Sequence, residues 1–204
     1  MRPRTTLLAA TALLTLAFAS SRLPIARLPI ALGDDKDDKK KAEEFQPPKP
    51  GPEHELLKQL EGKWEGKMML RMAADAPAQE SKTTEESKLG CGGFWLITDT
   101  KGESQEMGSF VGHGMVGYDT AKKKYVGIWG DSMASYLFPY EGSYDAATKT
   151  WTYTGMAKDM QGKDLKVVLK TTVKDKDHYT FTMRHADEAG KDMEALKAEY
   201  TRKK

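Results

Sequence analysis

From Lys63 to Met72 the side chains alternate in character almost residue by residue. Trp64, Gly66, Met68, Leu70 and Met72 hold the even positions; Lys63, Glu65, Lys67, Met69 and Arg71 hold the odd ones. A period of two sends the two sets to opposite faces of an extended chain, one toward a core and one toward water. This stretch therefore reads as a β-strand. The same habit recurs to the end of the chain and predicts further strands near 81–89, 93–100, 105–117, 123–131, 134–144, 149–156, 163–174, 177–185 and 193–202.

Short polar turns separate these segments. Asp119 to Lys123, Asp145 to Lys149, Asp175 to Asp177 and Asp187 to Lys191 each start on an aspartate, whose carboxylate can hold backbone N–H groups in a tight turn. Two turns share one spelling, Tyr118-Asp119-x-Ala121-x-Lys123-x-Tyr125 and Tyr144-Asp145-x-Ala147-x-Lys149-x-Trp151. About ten consecutive strands with short connections favour an all-β, up-and-down antiparallel barrel, because closure removes the exposed edges that invite aggregation. An open sandwich is the main alternative. Before the first strand, Leu56, Leu57 and Leu60 share a helical face between Pro52 and Gly62. That short helix is placed to cap one end of the barrel.

The chain has 204 residues, enough for one domain with tails. Met1-Arg2-Pro3-Arg4 is basic, Thr5 to Phe18 is apolar apart from four threonines, and Ala17-Phe18-Ala19 is a small-x-small cleavage site. Residues 1–19 thus read as a secretory signal peptide of an exported protein with no membrane span left after cleavage; in a bacterium, the host that the family resemblance below implies, that means periplasmic or secreted. Residues 20–52 carry a doubled Arg-Leu-Pro-Ile-Ala, then a charged and proline-rich run, and read as a disordered linker to a barrel domain at 53–204. Two formal positive charges in 1–19, two in 20–33 and a net minus two in 34–44 account for the whole formal charge of +2. Residues 45–204 are therefore neutral, which argues against a nucleic-acid partner. A single cysteine, Cys91 in a glycine-rich turn, excludes a disulfide-stapled fold and any multi-cysteine metal centre.

Gly62-x-Trp64 after a short helix resembles the calycin superfamily of lipocalins and fatty-acid-binding proteins. The resemblance implies that Trp64 packs under a basic residue from the last strand, and Arg202 is placed for that structural role through a cation–π contact. A longer set of motifs carries a second resemblance. It comprises Pro52-Glu53-His54-x-x-Leu57-x-x-Leu60-x-Gly62-x-Trp64-x-Gly66, Gly117-Tyr118-Asp119, Lys123-Lys124-Tyr125-Val126, Trp129-x-Asp131-Ser132-Met133 and Tyr200-Thr201-Arg202. Together these are similar to the bacterial family catalogued as domain of unknown function 1579, which implies a lipocalin-like barrel and no established activity. The opening motif also resembles nitrobindins, barrels that hold haem through a histidine on a later strand; the rest of that pattern is missing.

Within such a barrel the candidate cavity lining is Met68, Leu70, Met72, Glu85, His113, Met115, Trp129 and Tyr136. Glu85 stands midway along the face Ser81, Thr83, Glu85, Ser87, Leu89, opposite a face carrying Lys82 and Lys88. If that face is dry, the carboxyl must be paired or protonated; the competing reading is an edge strand wet on both faces. His113, between Gly112 and Gly114, could bind a metal or polarise a ligand, or be an ordinary hydrogen-bonded strand residue. His54 reads as a first-turn helix residue, and His178 and His185 as surface residues. Asp131-Ser132 lacks the surroundings of a nucleophilic serine and reads as a strand end. The methionines and the row Tyr136, Phe138, Tyr140, Tyr144 suit an apolar core or cavity wall.

The expected function is that of a non-enzymatic barrel for a small, mainly apolar molecule. The alternatives are a haem or metal protein or enzyme using His113, and a packed structural barrel. No catalytic residue, metal or cofactor is assigned, haem through His113 standing as the alternative, and the sequence leaves oligomeric state open.

Overall fold

The computed structural model describes residues 46–204, apart from Ala74, Gln105 to Met107, Met160 and Glu188. The proposed signal peptide and most of the proposed linker lie outside the described residues. Helix α1 (Pro52–Leu57) runs into a single 3-10 turn at Lys58–Leu60. Ten strands follow: β1 (Gly62–Leu70), β2 (Gln79–Gly90), β3 (Trp95–Ser104), β4 (Gly108–Asp119) and β5 (Lys124–Asp131), then β6 (Phe138–Asp145), β7 (Thr150–Lys158), β8 (Asp164–Asp175), β9 (His178–Ala186) and β10 (Asp192–Arg202). Each pairs antiparallel with its successor, and β10 pairs antiparallel with β1, so the sheet closes on itself. An even number of up-and-down strands makes that last antiparallel pairing possible, and no edge is left unpaired.

The turns differ between the two ends. At the end occupied by α1, Asp119 Oδ1 accepts from the N–H groups of Ala121 and Lys122, and Asp145 Oδ1 accepts from Ala147 N–H. Lys123 and Lys149 then take left-handed φ values of 54° and 51°, the same solution written twice. At the other end, Asp159 Oδ1 holds the N–H groups of Gln161 and Lys163, and Asp187 Oδ1 those of Ala189 and Lys191. Here glycines, Gly162 and Gly190, supply the left-handed residue at φ 79° and 78°.

Register fixes which side chains face inward. Trp64 pairs with Arg202 and Glu85, Tyr140 with Gly127 and Gly155, and Tyr200 with Gly66 and Tyr179. Aromatic rings thus stand beside glycines on the neighbouring strand. A Cβ on Gly66 would meet the Tyr200 ring, and one on Gly127 the Tyr140 ring. The missing side chains give the rings room to lie against the wall. Lysines and carboxylates alternate onto the outer face, where pairs such as Lys63–Glu86, Lys67–Glu80 and Lys124–Glu141 are exposed and contribute little to stability.

Helix α1 lies across the end where β1 begins. His54 and Leu57 are buried, and His54 meets the rings of Phe94 and Tyr118 edge-on at 5.1 and 6.1 Å. Its Nδ1 accepts from Gly51 N–H at 3.0 Å, satisfying a donor at the helix start. Tyr125 donates its hydroxyl to Glu53 O at 2.9 Å, and burial pushes that phenol up to about 12. Below them Trp64 and Trp151, 2% and 0% exposed, anchor the core. Trp64 Nε1 donates to Leu60 O at 3.0 Å, and the Arg202 guanidinium sits 4.0 Å from the indole centroid. Gly62, at φ 122°, has Arg202 where a Cβ would go, so only glycine suits the start of β1.

Candidate functional site

Past this aromatic floor the barrel encloses a cavity of about 440 Å³. Its two sides differ in chemistry. Strands β6 to β10 contribute aromatic and aliphatic groups, among them Phe138, Tyr140, Tyr153, Val167, Leu169 and Phe181. Strands β2 and β3 turn inward with Ser81, Thr83, Glu85 and Ser87, and with Thr98 and Thr100. Ser87 Oγ and Thr98 Oγ1 are hydrogen-bonded at 2.9 Å, and Thr83 Oγ1 donates to Lys101 O at 3.1 Å. Ser81 Oγ is buried without a partner among the described residues. Such a space is amphiphilic.

Glu85 is the ionisable group of the polar side. Its Oε1 accepts from the Tyr179 hydroxyl at 2.7 Å and from Ser87 Oγ at 3.0 Å, while Oε2 has no hydrogen-bond partner among the described residues. Burial raises the carboxyl above its usual range, and the two hydroxyl bonds only partly offset this. Tyr140, Tyr179 and Tyr200 converge on it from β6, β9 and β10. Burial raises each phenol first, and the neighbouring carboxylate raises each further. They remain neutral donors at physiological pH. Tyr179 also stacks on Tyr200 at 4.6 Å and meets Trp64 edge-on at 4.7 Å, which fixes its hydroxyl toward Glu85.

The mouth lies at the end away from α1. Trp129 lies over Gly112 and Gly114, a Cβ on Gly114 reaching the ring at 3.0 Å. Its Nε1 donates to Asp131 Oδ2 at 2.7 Å, and Asp131 Oδ1 accepts from Met133 N–H. Residues 132–137 form a loop pinned to the end of β7, where the Tyr136 hydroxyl accepts from Lys158 N–H at 2.9 Å. Met133 and Leu137 on this loop are 64% and 63% exposed.

Of the eight lining residues expected from sequence, Met68, Glu85, Met115, Trp129 and Tyr136 border the cavity. Met115 does so from a position whose parity belongs to the outer face. Three expectations are corrected. His113 stands outside, its side chain 67% exposed and its Nδ1 2.6 Å from Asp99 Oδ1 across the β3–β4 pair. The reason is the alternation of β4: Phe110, Gly112, Gly114 and Val116 face inward because Trp129 needs the space above the glycines. Met72 falls beyond the end of β1 and is exposed, and Leu70, the last residue of that strand, does not border the cavity. A haem or metal held by His113 inside the barrel does not fit this placement. Nor does a serine nucleophile at Ser132, whose Oγ accepts from Val111 N–H.

Sequence reading passed over two features of the wall. Tyr179, Phe181, Met183 and His185 share the inner face of β9, and all four line the cavity. His185, expected at the surface, stands at the mouth with its Nδ1 hydrogen-bonded to Ala186 O at 2.8 Å. The alternation of β9 carried that signal.

A family model described as "Protein of unknown function (DUF1579)" matches residues 49–202, from just before α1 to the last residue of β10. The chain belongs to this family. The matched span is the barrel with its helix, so the cavity lies wholly within the DUF1579 domain. Among solved structures, the domain is similar to Rv2717c from M. tuberculosis, with a TM-score of 0.59 and 12% identity over 76% of this chain and 99% of that one. It is also similar to the S-type phycobiliprotein lyase CPES from Guillardia theta, with a TM-score of 0.50 and 12% identity over 76% and 99%. At such identities the likeness shows the fold. No curated protein matches in sequence. Among the described residues of this DUF1579 member, no three histidine, cysteine or carboxylate side chains gather as a metal site, and no helix is long and apolar enough to cross a membrane.

Proposed function

We propose that this DUF1579 member is an exported, non-enzymatic barrel that binds one small, largely apolar molecule. One observation carries the reading: a cavity of about 440 Å³, within the usual range of ligand pockets, whose wall is mainly aromatic and aliphatic apart from a polar side on β2 and β3 and the Asp131, Lys158 and His185 groups at its mouth. A structural barrel would fill that volume with side chains, as small barrels do. Export rests on the basic, apolar and small-x-small order of residues 1–19.

Native mass spectrometry of protein purified from its own host tests the reading. A retained molecule of a few hundred daltons is the expected result, and a bare chain with no uptake of apolar probes would overturn it. A haem absorption band in the same preparation would replace it with a cofactor role, for which His185 at the mouth is the cavity's histidine. Peptide mapping of the mature N-terminus checks export separately, with a start near Ser20 expected.

A further inference from the structure

We propose that the bound molecule carries a basic nitrogen, and that Glu85 is its counter-charge. The inference rests on the binding reading above and adds the chemistry of the headgroup. Deep in the cavity Glu85 is met by hydroxyls alone, Tyr179 and Ser87, and both donate to the same oxygen. Two donors on Oε1 suit a carboxylate, which only accepts; Oε2 is left for a donor that the protein does not supply. Tyr140 and Tyr200 complete the surroundings from β6 and β10, while β1 and β3 set Trp64 and Thr100 beside it. The nearest cation from these elements, Arg202 on β10, lies over Trp64 on three backbone carbonyls and acts on Tyr179, not on Glu85. The basic residues that border the cavity stand at its mouth, Lys158 paired with Asp164 at 2.5 Å and His185 bonded to Ala186 O.

A carboxylate removed from water is costly unless a cation or a strong donor meets it. An ammonium group brings both the charge and N–H donors for Oε2. An anionic headgroup would face Glu85 with no cation beside it, a repulsive setting. A neutral alcohol would gain the apolar wall without the ion pair. The class selected is therefore an aliphatic or aromatic body ending in a primary or higher amine.

The experiment uses the barrel loaded with Nile red, a neutral polarity-sensitive dye, displaced at pH 7.5 by decylamine, 1-decanol or decanoate. The expected order is decylamine ahead of 1-decanol by about tenfold or more in Kd, with decanoate weakest. In Glu85→Gln, which keeps the shape and the acceptor for Tyr179, the amine advantage should fall to about threefold or less while 1-decanol binds as before. Lowering the pH toward the ordinary carboxyl value of 4.5 should erode the wild-type preference as Glu85 takes up a proton. Equal or tighter binding of 1-decanol or decanoate to wild type would overturn the amine assignment and leave the binding reading intact. A barrel that takes up neither dye nor any of the three would overturn both. Should Glu85→Gln fail to fold, the wild-type order and its pH dependence decide alone.

Discussion

The two ends of the barrel are built on opposite principles. Where α1 lies, the polar groups are tied to fixed partners, with Trp151 Nε1 the exception: Trp64 on Leu60 O, Tyr125 on Glu53 O, His54 on Gly51 N–H, and Arg202 on three backbone carbonyls. At the mouth, Met133 and Leu137 face water, and the loop that bears them hangs on Tyr136 and Asp131. Rigidity is spent where nothing needs to pass. The contrast teaches that one end holds the cylinder together while the other leaves its interior open, with Glu85 placed between them.

If that division is real, the largest effect belongs to Trp64→Ala. Removing a buried indole that touches Tyr179 and carries Arg202 should cost about 3–5 kcal/mol in denaturant unfolding. A loss under about 1 kcal/mol would break the comparison. Arg202→Ala comes next. Its guanidinium donates to Lys176 O at 2.9 Å, to Gln59 O at 3.1 Å and to Glu61 O, so its loss should cost about 2 kcal/mol. Arg202→Lys should recover part of that by keeping the charge over Trp64.

Glu85→Gln should act in the opposite direction. A carboxyl whose folded pKa is raised binds its proton more tightly in the native state, so its contribution is full below the ordinary value of 4.5 and fades as pH rises through the raised value. Glutamine stays neutral throughout. The unliganded variant should therefore match wild type near pH 4 and melt higher at neutral pH, the gap widening between; a lower melting temperature at neutral pH would count against a buried, unpaired carboxyl. The smallest effects belong outside the cylinder. His113→Ala should shift stability by less than about 0.5 kcal/mol and leave dye uptake unchanged, because the ring and its Asp99 partner stand in solvent. Altered dye binding there would return the histidine to the site.

The fold could be read from the chain because strand alternation and aspartate turns are local. Ten segments, their order and their short connections follow from it, and closure follows from the need to hide edges. Two boundaries moved for local reasons. Residues 132–137 form a loop where a strand start was expected, held by Asp131 and Tyr136, and β3 begins after a 3-10 turn at Cys91–Gly93. The lysines of β2 likewise assign its outer face, and so the side on which Glu85 sits.

Orientation of β4 was harder to read. Choosing the histidine and methionine face as inner followed chemical interest, whereas the packing follows space: Gly112 and Gly114 face inward because the ring of Trp129, on the next strand, lies over them. That requirement depends on cross-strand register, which no local pattern records. The convergence of Tyr140, Tyr179 and Tyr200 on Glu85 is of the same kind, assembled from four strands far apart in the chain.

Arg202 and Glu61, hydrogen-bonded across the junction of β10 and α1, are 141 residues apart in the chain. During synthesis the tryptophan platform is therefore ready long before its clasp arrives. Until the final dozen residues are made, β1 and β9 both present unpaired backbone, and the nascent protein is a strip with two adhesive margins. Shortening the C-terminus by even one strand would be expected to yield not a smaller receptacle but an aggregate.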